Sequence, residues 1–147
     1  MPPTRDFAVA TFVVQRGHVL LLFHRKLRLW LPPGGHVDPD ELPDEAAVRE
    51  VWEEAGIRCE LVGERGVEVE YPRQLVRPAG IQLERIGPDH EHVDLIYFAR
   101  PLDGLAEPTG DGEGDAVAWY PLDSLEGMGV PEDVRLWAER AVRALGG

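Results

Sequence analysis

Apolar residues alternate or run together over Phe7 to Val14 and again over His18 to His24, with Gln15-Arg16-Gly17 between them. Two β-rich runs around a short glycine-containing turn predict a hairpin. Leu31-Pro32-Pro33-Gly34-Gly35 is a cluster of breakers at which the chain turns or bulges. Pro43 to Ala55 then carries the helical period, with Asp44 and Glu45 in its first turn and Gly56 as its stop. Further strands are predicted at Arg58 to Gly63, Val67 to Tyr71, His92 to Ala99 and Ala116 to Tyr120. Pro72 to His90, rich in breakers, reads as a long loop. Pro131 to Leu145 reads as a second helix, with Val134, Trp137, Ala138, Ala141, Val142 and Leu145 on one stripe. Strands before, between and after two helices predict an α/β fold with a mixed sheet.

On the first helix, Val48, Val51, Trp52 and Ala55 fall on one side at about 100° per residue, and Glu50, Glu53 and Glu54 cluster on the other. The apolar side explains how the helix is held against a sheet, but not why three carboxylates crowd the opposite side. Like charges at these spacings cost about 0.2–0.5 kcal/mol per pair in an isolated helix. Gly35 to Ile57 holds eight acidic residues and a single arginine, Arg49. A hard divalent cation such as Mg²⁺, which takes carboxylate oxygens together with substrate phosphates, resolves that crowding. A solvated helix face is the alternative for the carboxylates taken alone.

Composition narrows the partners. The chain has 147 residues, 44% hydrophobic and 29% charged, the range of an ordinary globular domain. Its formal net charge is -12, so binding a nucleic-acid backbone by general electrostatics is not expected. Any phosphate must be met by a local basic patch or a bound cation. One cysteine, Cys59, rules out an intramolecular disulfide and a cysteine-rich metal site. No run approaches the ~20 apolar residues of a membrane span, and the first residues lack the pattern of a secretion signal. A cytoplasmic protein is the expectation.

Read in full, the segment is Gly35, five residues, Glu41, seven residues, then Arg49-Glu50-Val51-Trp52-Glu53-Glu54-Ala55-Gly56-Ile57. This resembles the Nudix hydrolase signature, G-x5-E-x7-R-E-U-x-E-E-x-G-U with U apolar, at every fixed position. The hairpin and breaker cluster before it, and Trp119-Tyr120-Pro121-Leu122 after it, look like the small single-domain, MutT-like members, so the resemblance covers nearly the whole chain, 1–147. It implies an α/β/α sandwich with a mixed sheet. It also implies a pyrophosphohydrolase that cleaves a diphosphate linkage in a nucleoside diphosphate derivative by water attack, with Mg²⁺ or Mn²⁺. The substrate classes implied are a nucleoside triphosphate, oxidised or not, and a nucleotide sugar such as ADP-ribose. Pro72, about fifteen residues after the signature, falls where some ADP-ribose-cleaving members carry a proline.

By position, Glu50, Glu53 and Glu54 resemble the metal ligands, with the Gly35 carbonyl as a further one. Glu41 and Arg49 resemble the pair that positions them. A general base or extra ligand from a late loop is also implied; Glu113 is the candidate, with Asp111, Asp115 and Glu91 as rivals. For the substrate, Arg25, Lys26 and Arg28 form the densest basic cluster, read as a phosphate clamp or a solvated strand end. Trp30, Tyr71, Tyr97 and Phe98 are read as base-stacking groups or as core. His92 and Asp94 share a strand face with Ile96 and Phe98. His36 is expected in a loop with no metal role, since hard Mg²⁺ prefers oxygen.

Two other readings remain. One is a Nudix-fold module that senses nucleotides without turnover, although such modules usually lose signature carboxylates and none is missing here. The other is the isopentenyl diphosphate isomerase branch, which needs a placed catalytic cysteine. Monomer and homodimer are both compatible with the sequence.

Overall fold

The computed structural model describes residues 2–109 and 114–146, with side chains for 2–109 and 117–146. The chain order is β1 (Thr4–Gln15), β2 (His18–His24), β3 (Leu29–Leu31), β4 (Gly34–His36), α1 (Pro43–Ala55), β5 (Cys59–Val62), β6 (Gly80–Gly87), β7 (His90–Pro101), β8 (Gly114–Pro121) and α2 (Glu132–Leu145). The strands form one mixed sheet. β1 is its axis: it runs parallel to β7 from Thr4↔His90 to Val13↔Ala99, and antiparallel to β4 on its other edge through Ala8–Ala10. Its end turns into β2, which pairs with β3 and β8.

Because side chains alternate along a strand, β1 feeds two cores. Phe12 and Val14, with Ile96 and Phe98 of β7, pack against Val134, Ala138 and Ala141 of α2. Val13 and Ala99 meet Val51 and Ala55 of α1, while Val9 and Tyr97 meet Ala46 and Ala47. One helix therefore covers each face, the α/β/α arrangement expected. α1 begins at Pro43, whose missing N–H costs nothing in a first turn. It ends at Gly56, which takes the left-handed conformation at φ 65°.

Four expectations need correction. Gly80–Gly87 is a strand paired with β7 where a loop was read. Val67 to Tyr71 is irregular: none of the described strands pairs with it, and the Gln74 side-chain oxygen takes the Val67 N–H instead. His36 ends strand β4 rather than lying in a loop. Trp52 is 51% exposed, with the Arg58 guanidinium 5.6 Å from its ring centroid; Ala46 and Ala47 take its expected place in the core.

Candidate active site

Arg49 organises the acidic side of α1. Its Nε and Nη2 donate to the two oxygens of Glu41 at 2.7 and 3.0 Å, a bidentate fork. Its Nη1 donates to Glu50 at 2.8 Å and to Glu53 at 3.2 Å, and Nη2 also reaches the His36 carbonyl at 3.0 Å. One guanidinium thus ties the loop before the helix, strand β4 and two turns of α1. Its fork holds the Glu41 carboxyl below the usual range. At Glu50 burial dominates and pushes the pKa up, while Arg49 pulls it back and Glu53 adds repulsion. More negative charge is crowded there than one arginine relieves.

The glycines before the helix are close-approach positions. A Cβ on Gly35 would sit 2.8 Å from the Glu50 carboxylate, and one on Gly34 would strike the Val9 carbonyl. The Gly34 N–H donates to Glu54 at 2.8 Å. The glycine turn therefore lies directly over the carboxylates. An all-oxygen set of three carboxylates beside a backbone carbonyl, with room kept by a missing Cβ, suits a hard divalent cation.

Next to this face a cavity of ≈ 260 Å³ opens between the sheet and α2. Gly34, Gly35 and Glu54 form its border with the acidic face. Its floor includes Phe12 and Ile96, its far wall Trp137, and its polar groups Gln82, Glu84, Asp94 and Asp133. Trp137 Nε1 donates to Gln82 at 2.9 Å, and Gln82 Nε2 donates to Asp133 at 3.1 Å. Glu84 and Asp94 are hydrogen-bonded to each other; burial, then their mutual contact, pushes Glu84 up to about 7, and burial raises Asp94 as well. His92 and Asp94 do point to this face, as the strand alternation predicted.

Other sequence candidates fall elsewhere. Arg25, Lys26 and Arg28 sit in the exposed β2–β3 turn, which contributes Leu27 to the cavity wall but none of the three cations. Trp30 packs edge-on to Phe23 and Tyr120 at 5.3 and 5.2 Å; Tyr97 and Phe98 are core, and Tyr71 is fully in solvent. Glu91 is paired with Arg5 at 2.8 Å and does not line the cavity. Glu113 and Asp111 lie outside the described residues, as does the side chain of Asp115. The flanks of that segment are described: the Thr109 N–H donates to Ala55 at the end of α1, and Gly114 pairs with His24 on the cavity rim. Cys59 is buried, its thiol pushed up to about 12, which removes the nucleophile an isomerase would need.

Gln82, Glu84 and Trp137 were missed as cavity groups. The signal was present for the first two: Ile81, Gln82, Leu83 and Glu84 alternate, but with the polar residues facing inward.

An acidic helix behind a glycine turn, opening onto a largely apolar cavity in a mixed sheet, is an arrangement suited to an enzyme that handles phosphates. The NUDIX domain family model matches residues 4–145, and the chain belongs to that family. It is 31% identical over 122 residues to the human 8-oxo-dGDP phosphatase NUDT18, covering 80% of this chain but 32% of that protein. A MutT-like protein of Streptomyces ambofaciens is 30% identical over 125 residues, 84% of this chain and 69% of that one. Among solved structures, a NUDIX-family hydrolase from Clostridium perfringens superposes with a TM-score of 0.84 at 30% identity, covering 97% of this chain and 99% of that one. Family and relatives together support a pyrophosphohydrolase.

Proposed function

We propose that residues 1–147 act as one catalytic domain that hydrolyses a diphosphate linkage in a nucleoside diphosphate derivative by attack of water. The substrates in view are a nucleoside triphosphate, including an oxidised one, and a nucleotide sugar such as ADP-ribose. The observation that carries this reading is the shared border: Glu54 and Gly35 belong both to the acidic face and to the cavity wall. A ligand with its base in the cavity thus presents its phosphates to the carboxylates.

Glu50, Glu53, Glu54 and the Gly35 carbonyl would hold Mg²⁺ or Mn²⁺. When bound, such a cation neutralises phosphate charge and makes a water acidic enough to attack at neutral pH. Arg49 and Glu41 keep the carboxylates in place through the fork. Glu113, on the segment flanked by Thr109 and Gly114, is the proposed general base. Arg25, Lys26 and Arg28, on the turn beside the cavity, are proposed to meet the outer phosphate oxygens.

The base end is the more selective one. Glu84 and Asp94 share one proton between them, and their free oxygens, with the Gln82 oxygen, accept. That set suits a purine edge rich in N–H donors, with Trp137 as an apolar wall. The human relative is named for an oxidised guanine nucleotide, which fits such an edge.

The test is a panel of nucleoside di- and triphosphates and nucleotide sugars, incubated with protein and Mg²⁺ or Mn²⁺, with products identified. Turnover that releases a mononucleotide, and that vanishes in Glu53→Gln, is the expected result. Tight binding without any product would overturn hydrolysis in favour of a sensing module.

A further inference from the structure

Three of the chain's five histidines meet at one spot, in a cluster that includes none of the carboxylates of α1. Asp6 of β1, His36 of β4, and His90 and His92 of β7 each direct a ligand atom there, and all four atoms lie within 4.8 Å of one another. The sheet explains the convergence. β1 lies between β4 and β7, Asp6 is the register partner of His92, and Ala8 is that of both His36 and Asp94. His90 and His92, two apart on one strand, share a face.

The distances are those of a coordination shell. Nε2 of His36 lies 3.1 Å from Nε2 of His92 and 3.6 Å from Oδ2 of Asp6; Nε2 of His90 lies 3.2 Å from that same oxygen. A tetrahedron with bonds of about 2.0–2.1 Å places its ligand atoms about 3.3 Å apart. The remaining imidazole is oriented as well: Nδ1 of His90 is 2.7 Å from Thr4 Oγ1, which leaves Nε2 turned inward. Such an outer partner for a ligating histidine is the usual accompaniment of a metal site. Asp6 and His36 are exposed, which gives an ion a way in.

We propose that Asp6, His36, His90 and His92 form a second cation site, built for a borderline transition ion, Zn²⁺ fitting best. Three imidazoles and one carboxylate match that ion's preferences and not those of Mg²⁺, which takes oxygen and keeps its waters. The site is distinct from the carboxylate set in ligands and in chemistry. Its ion clips β4, β1 and β7 together. That pins the strand carrying Gly34 and Gly35, and sets His92 in the cavity wall.

The test uses untagged protein freed of metal by a chelator and titrated with Co²⁺ in excess Mg²⁺, which occupies the carboxylate set of α1. One Co²⁺ per chain is expected, with the strong visible absorption of a tetrahedral centre, displaced by an equivalent of Zn²⁺ and not by excess Mg²⁺. Zn²⁺ also raises the melting temperature. His90→Ala/His92→Ala abolishes both signals, and Thr4→Val weakens Zn²⁺ binding about 10–100-fold. Asp6→Asn, on an exposed side chain, guards against loss of fold in the histidine variant and also weakens binding. Glu53→Gln leaves the cobalt spectrum unchanged, so failure here and failure of the hydrolase reading are told apart. Pale octahedral cobalt, displacement by Mg²⁺, or Zn²⁺ binding that persists in the double variant overturns the proposal.

Discussion

Two groups of carboxyls, one on the acidic face around α1 and one inside the neighbouring cavity, are handled differently by the protein. Glu41 of the loop before α1 and Glu50 and Glu53 of the helix surround one guanidinium, and the shortest of those bonds keeps Glu41 ionised. On β6 and β7, Glu84 and Asp94 bond to each other instead; burial raises both, and the contact with Asp94 raises Glu84 further. The first group gathers around a fixed positive charge and has room for more, whereas the second shares a proton. The difference teaches that acidity in a sequence is not one property. Carboxylates beside a fixed arginine and a glycine turn make a place for a cation, while carboxyls beside Trp137 and Ile96 make a place for a base.

The sharpest way to break this contrast is to remove a charge from the first group. Glu53→Gln or Glu54→Gln should lower kcat by about three orders of magnitude or more in a nucleotide hydrolysis assay, with an unchanged melting curve for Glu53→Gln because its carboxylate is half exposed. Unchanged turnover in both would make that group a solvated face. A charge on the back of the same helix should act on folding instead. Val51 is fully buried, so Val51→Asp leaves a carboxylate without a partner in the core; loss of the cooperative transition in circular dichroism is expected. Arg49→Lys keeps the charge and loses the fork. We expect kcat to fall about 10–100-fold with little change in the substrate KM.

The second group answers to pH. Because Glu84 is raised to about 7, the stability it contributes is complete below its ordinary value of 4.5 and is lost as pH rises through about 7. The melting temperature should therefore drop between pH 5 and pH 8, and Glu84→Gln, always neutral, should flatten that drop. An equal slope in the variant would show that the pair does not share a proton. Smallest of all is Trp52→Ala: a half-exposed ring should cost under about 1 kcal/mol in urea unfolding.

What was legible in the sequence follows locality. α1 came out to the residue, Pro43 to Ala55, because its proline start, glycine stop and period lie within one short stretch. The ion-pair network came with it, since Glu41, Arg49, Glu50 and Glu53 are joined by helical spacing and one loop. The cavity did not. It is assembled from β1, β4, β6, β7 and α2, and only the register brings Gln82 beside Trp137. β6 was missed because its apolar residues, Ile81 and Leu83, face outward, inverting the usual reading of an alternating strand. β3 and β4, three residues each, are too short for any periodicity. Val67 to Tyr71 alternates as well as a true strand does, yet none of the described strands pairs with it. The histidine cluster joins positions 6, 36, 90 and 92, a combination no local window contains.

The parallel partnership of β1 with β7 carries a consequence for how this molecule is born. Thr4 meets His90 across 86 positions of chain, so β1 has no parallel neighbour during synthesis until β7 has been made. Its apolar stretch from Phe12 to Val14 must wait with one edge open in the meantime, sheltered by the β2 hairpin and, at Val13, by α1. Nascent chains halted before residue 90 should be open to protease and prone to clump, and full resistance to digestion should come only when α2 has followed β7 out and covered the second face.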